Sequence, residues 1–167
     1  FLSFQPLFII SALTEKEGQY GGFPPLDHQL WQQAGAYGVG KTGLESWNNQ
    51  MEILQKISLA HQIKGLLDIS KNPTAFRRGL QKSIEQYGRM DIQQLYQSAR
   101  RNAGAMRKVL LFERNQIMVQ KIEELTKTHQ LFAAVGAGHL WGKEGMLSLL
   151  KRKGMKVQPI HYRAARD

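Results

Sequence analysis

A chain of 167 residues with 42% apolar and 9% aromatic residues can bury the core of one ordinary domain, which excludes wholesale disorder. Its 23 lysines and arginines against 13 aspartates and glutamates give a formal charge of +10, which favours anionic partners. Cysteine is absent, so disulfides, zinc-thiolate sites, iron-sulfur clusters and a cysteine nucleophile are excluded, and cytosol and periplasm stay equally open.

The apolar stretch Phe1 to Leu13 is broken by Ser3, Gln5 and Pro6 and falls short of the roughly 20 residues a bilayer requires, so no transmembrane segment is expected. No basic stretch precedes it and no small-residue cleavage site follows it, as a secretory signal would need. The chain does not begin with Met, and its native N-terminus is expected to be missing. Residues Leu2 to Lys16 read as a short helix with Pro6 in an early turn, where a missing amide donor is tolerated. Gly18 to Pro25 cannot continue it, and Asp27 offers an oxygen to cap a helix running to about Ala36. Val39 to Leu44 reads as a brief strand. Ser46 can cap the next helix, on which Trp47, Met51, Leu54 and Ile57 recur as an apolar stripe.

From Ile57 to Gln130 the pattern is helical, with starts marked by Asn72-Pro73 and by Asp91 with Gln94. Two or three antiparallel helices are implied, then a longer one from about Ala105 to Lys127 with Met106, Leu110, Ile117, Ile122 and Leu125 towards its buried side. Leu131 to Val135 is apolar without alternation, as in a strand covered on both faces, and it runs into Gly136-Ala137-Gly138-His139. Gly142 to Lys153 is helix-spaced, Gly154 fits its C-terminal cap, and Met155 to Ile160 reads as a last strand closed by Pro159. Strand, glycine turn, helix, strand predicts an α/β fold: a small sheet in one domain over 1–167, with residues 46–130 as a large helical excursion.

The basic residues fall in short clusters, Arg77-Arg78, Arg100-Arg101 with Arg107-Lys108, Lys151-Arg152-Lys153 and Arg163 to Arg166. Each lies in or beside a helical pattern without interleaved aromatics, so solvated helix faces are the expectation and a nucleic-acid partner is not.

Four motifs bear on chemistry. Gly35-Ala36-Tyr37-Gly38-Val39-Gly40-Lys41-Thr42 satisfies the phosphate-loop pattern letter for letter, but polar, helix-spaced residues precede it and extended ones follow. A glycine turn is the preferred reading, with nucleotide binding the lesser alternative. His139 would stand beyond the end of a buried strand, where neutral imidazole serves as metal ligand or general base; a plain surface turn is the alternative. Glu45, closing Gly43-Leu44-Glu45, would share that rim if the strands are parallel, or simply favour a helix start. Glu113-Arg114-Asn115 could be a solvated face, or Arg114 could clamp an anion in bidentate fashion.

In order, these residues resemble a known family. Leu131 to Leu140, then Gly142, Gly145, Leu147 to Leu150 and Gly154 to Ile160, look like the closing block of TraB/GumN (TIKI-like, PrgY-like) proteins. Leu26-Asp27, Gly43-Leu44-Glu45 with Gln50, and Glu113-Arg114-Asn115 with Met118 resemble its other landmarks. The resemblance implies an α/β fold akin to the haem-uptake (ChaN-like) and erythromycin-esterase-like group, with two G-x-x-H turns and an acidic residue around a divalent metal. It implies a metal-dependent hydrolase acting on a peptide or small-molecule substrate, peptidase or esterase-like, in the periplasm or cell envelope; an oligomer is left open. His139 and Glu45 would be catalytic residues and metal ligands, Arg114 and Asn115 would position substrate, and Gly136 and Gly138 would contact it. The first G-x-x-H is expected before Phe1, since this chain holds only one. The rival reading is a non-catalytic binding protein of the same fold, for a signal peptide or haem.

Overall fold

A computed structural model describes residues 5–18 and 24–160. Eight α-helices are formed within them: α1 Pro6–Gly18, α2 Leu26–Ala36, α3 Trp47–Gln55, α4 Leu59–Lys71, α5 Pro73–Gly88, α6 Ile92–Ala103, α7 Arg114–Leu125 and α8 Met146–Arg152. Short 3-10 turns occupy Gly104–Met106 and Ala137–His139, and a π-helical turn, Lys108–Glu113, leads into α7.

Several helix starts are those the sequence announces. The Ser46 hydroxyl accepts from the Asn49 amide at 3.1 Å. Asn72 Oδ1 accepts from Ala75 N at 3.0 Å with Pro73 in the first turn, and Asp91 Oδ1 accepts from Gln94 N at 3.0 Å. Each such cap satisfies an amide that the helix leaves open, a contribution of about 1 kcal/mol. Asp27 behaves differently. Helix α2 starts at Leu26 after Pro25, and Asp27 Oδ1 takes the amide of its neighbour His28 at 2.9 Å instead of capping.

Two packed groups follow. Helix α1 lies on α4 and α5, α4 on α5, and α5 on α6. Buried Gln62 stitches this group, accepting from Leu7 N at 3.3 Å and donating to Ile57 O at 2.9 Å. In the second group α7 packs on α8 through Met118, Val119, Ile122 and Met146, flanked by Leu44, Leu131, Val135, Leu149 and Leu150. The buried stripe entering α7 is Leu111, Asn115, Met118 and Ile122. Only Ile122 of the expected set is fully buried, because the π-helical turn uses an extra residue and rotates the face that a regular 3.6 period would bury. On α3 the buried positions are Ile53 and, just beyond, Ile57, while Trp47 is 68% exposed.

The expected α/β architecture is not found: no strand and no sheet occurs among the described residues. Residues 39–43, 130–136 and 155–160 carry the strand-like composition and are irregular. Leu131 and Val135 reach the core, but Phe132 is 81% exposed and Ala133 and Ala134 are exposed too, so this run is not covered on both faces. A strand takes its backbone hydrogen bonds from a neighbour, and no single segment's composition supplies one. An apolar run after a helix was therefore consistent with a strand without requiring it. The small sheet with its helical excursion, and the likeness to the erythromycin-esterase and ChaN-like architecture, give way to a helical arrangement for these residues.

The first residues of the expected N-terminal helix, the centre of the loop after it and the Arg163 to Arg166 cluster lie outside the described residues. The other basic clusters are exposed on helices or beside them. Among the described residues no helix is long and apolar enough to cross a membrane.

One glycine is indispensable to this packing. A Cβ on Gly145, at the start of α8, would lie 2.6 Å from the Leu140 carbonyl oxygen and closer still to the Trp141 carbonyl carbon and oxygen, all backbone atoms that cannot swing aside. Gly145→Ala should therefore cost about 3 kcal/mol in urea unfolding, the upper end for overpacking. A loss within about 0.5 kcal/mol, the level of an ordinary surface change, would contradict this close approach.

Candidate functional site

The first two residues of α7 reach in two directions. Arg114 grips Glu45, a residue of the loop before α3, in bidentate fashion: Nε lies 2.9 Å from Oε1 and 3.1 Å from Oε2, and Nη2 lies 2.6 Å from Oε2. The Glu45 side chain is only 4% exposed and that of Arg114 28%. A carboxylate so far removed from water requires a partner, and the planar guanidinium fork matches both its oxygens.

Asn115, the next residue, is wholly buried. Its Nδ2 donates to the main-chain carbonyl of Glu144 at 2.6 Å, and its Oδ1 lies 2.6 Å from Nδ1 of His139. His139 closes the 3-10 turn after Gly136, its amide donating to Gly136 O at 2.9 Å. The turn rests on α6: a Cβ on Gly138 would stand 2.9 Å from the Ala99 methyl, and one on Gly142, whose φ is +90°, would stand 2.6 Å from the Tyr96 ring. These glycines let the loop approach α6 and turn sharply.

Residues 45, 114, 115 and 139, read from three separate stretches of sequence, thus form one connected cluster. Glu45 is locked against Arg114. Asn115 spends both ends of its amide inside the protein, on the Glu144 carbonyl of the 140–145 loop and on His139. Gly138 is taken up by contact with Ala99, whereas Gly136 has only ordinary contact with the His139 ring. What the sequence reading missed is the main-chain carbonyl of Glu144, and Tyr96 and Ala99 on α6; the glycines at 138 and 142 were the available hint that a backbone would be approached closely.

Burial lowers the pKa of His139 from its ordinary value of 6.5, Arg114 lowers it further, and Glu45 partly offsets this. The ring is therefore neutral at physiological pH. Since the folded value lies below the unfolded one, His139 costs no stability above pH 6.5 and costs increasingly more as pH falls from there through the folded pKa. Urea midpoints of wild type and His139→Asn should run parallel at neutral pH and above, and the wild type should lose more on acidification. A steeper loss in the variant would reverse the assigned sign.

Beside Glu45 opens a cleft of about 440 Å³, lined by Thr42, Gly43, Ser46, Ile117 and Lys121 among others, within the usual size range for ligand pockets. Lys41, the lysine of the phosphate-loop pattern, lies elsewhere: its Nζ is 3.3 Å from Trp31 O and 5.1 Å above the Trp31 ring. Gly35 and Ala36 belong to the last turn of α2, so no strand feeds that loop.

For a divalent metal the donor set fits in part. Neutral His139 has one ring nitrogen engaged by Asn115 and the other left over, the usual condition of a metal-binding histidine. Both oxygens of Glu45 already face Arg114, which makes it a poor second ligand as it stands. No group of three or more His, Cys, Asp or Glu suited to an ion occurs among the described residues, so a full set would require donors beyond them.

Residues 1–159 match the TraB/PrgY/gumN family, and the chain belongs to that family. No curated protein and no solved structure matches it.

Proposed function

We propose that this protein is a hydrolase of peptide or ester bonds whose working atom is Nε2 of His139, with a divalent metal held there as one of its cofactor contacts. The observation that carries the reading is the paired geometry around α7: Asn115 grips His139 while the adjacent Arg114 grips Glu45. A neutral imidazole with one anchored nitrogen is suited to take a proton or to ligate a metal through the other. The ion, when bound, supplies a water of lowered pKa and polarises the scissile carbonyl.

The chain's own residues do the rest. Asn115 and the Gly136 turn fix the ring, and burial with Arg114 keeps it unprotonated. The Glu45–Arg114 pair acts on the charge of the ring, and Glu45 also borders the cleft, which His139 and Arg114 do not line.

Turnover of a set of peptide and ester substrates by the full-length protein, before and after chelation and with zinc, manganese or magnesium restored, tests this reading. Hydrolysis lost to chelator and regained with one metal is the expected result. Hydrolysis indifferent to chelator would remove the metal, and absence of hydrolysis with every metal would remove the enzyme.

A further inference from the structure

We infer that Asn115 is a positioning residue that locks His139 in its Nδ1–H tautomer, the less favoured form of free histidine in water, and so presents Nε2 as the lone-pair nitrogen. Which groups can donate decides the tautomer. The Glu144 carbonyl only accepts, so the end of the Asn115 amide 2.6 Å away has to be Nδ2. That orientation leaves Oδ1 facing His139 at 2.6 Å, and an amide oxygen only accepts, so the Nδ1 it faces has to carry the hydrogen. Reversing the amide would set two acceptors against each other at the Glu144 carbonyl in a place with no exposure to water.

The lock is fixed from outside the ring. Glu144 lies in the loop between His139 and α8, and that loop is held by Arg152, whose Nη1 donates to Lys143 O at 2.8 Å, and by the Leu147 amide on Leu140 O at 3.2 Å. The carbonyl that orients Asn115 is thereby anchored to α8. The tautomer assignment stands on these contacts alone; its consequence for turnover rests on the hydrolase reading above.

Ring nitrogen shifts of His139 decide the matter. In nitrogen-15 spectra of the full-length protein, taken well above the His139 midpoint, Nδ1 should read as protonated and Nε2 as unprotonated. The reverse assignment would overturn the inference. Asn115→Asp retains an acceptor facing Nδ1 and, with its other oxygen protonated towards the Glu144 carbonyl, should keep the tautomer; Asn115→Leu removes the acceptor and should release the ring towards the Nε2–H form. A spectrum unchanged in a folded Asn115→Leu protein would also overturn it, and if that variant does not fold, the wild-type and Asn115→Asp spectra decide. With a hydrolysable substrate in hand, Asn115→Leu should lower kcat about 10- to 100-fold with KM little changed, as loss of a residue orienting a metal-bound or basic histidine does. The Nδ1–H tautomer in a protein that hydrolyses nothing would sink the proposed function and leave this inference standing; the Nε2–H tautomer in an active enzyme would sink this inference and leave the hydrolysis standing, with a working atom other than Nε2.

Discussion

His139→Asn is expected to reduce hydrolysis by a hundredfold to ten-thousandfold while leaving the fold close to wild type. Asparagine places its amide nitrogen near where Nδ1 stood, so Asn115 Oδ1 keeps a donor and no buried acceptor is orphaned. What disappears is Nε2, and with it the proton acceptor or metal ligand; positioned acid-base groups contribute about 10²- to 10⁴-fold. His139→Ala is the less informative variant. It strips Asn115 Oδ1 of its partner and adds a stability cost of about 1–3 kcal/mol that would blur a loss of chemistry with a loss of folded protein. Wild-type turnover by a folded His139→Asn protein would move the chemistry away from residue 139.

Arg114→Ala should be the most destabilising change at the pair, by about 3 kcal/mol, the lower end for breaking a buried ion pair because the Arg114 side chain keeps 28% exposure. For a chain of this length that is a fall in Tm of roughly 10 °C. The cost comes from the partner left behind: a Glu45 carboxylate with 4% exposure and three short bonds removed. Replacing both residues, as Arg114→Met with Glu45→Leu, should therefore recover most of the loss, since no charge is then stranded. A thermal-unfolding cycle measures this coupling. Additive losses would show that the two side chains do not depend on each other, in conflict with their bidentate contact.

Much of the site was legible in the sequence, and the sheet was not, for separable reasons. Glu45, Arg114, Asn115 and His139 were each singled out, and they meet, because a glycine turn, a loop end before a capped helix and a polar pair on an apolar helix are local features. Caps at Ser46, Asn72 and Asp91 were legible for the same reason. Whether residues 131–135 form a strand depends on a partner elsewhere, and their composition says nothing of one. The role of Asn115 was hidden too. Its second bond goes to a main-chain carbonyl of Glu144, and no residue identity announces a carbonyl. The π-helical turn before α7 shifted the buried face from Leu110 and Ile117 to Leu111 and Met118, a change of phase that a periodicity reading assumes away.

Glu45, Arg114 and His139 share one electrostatic environment, and the His139 titration midpoint reads this directly. In the wild type it should lie below 6.5. Arg114→Met should raise it, by removing a cation that disfavours the imidazolium, and Glu45→Gln should lower it, by removing the anion that favours it. A midpoint that neither substitution moves would place the imidazole apart from the pair and contradict the site as described.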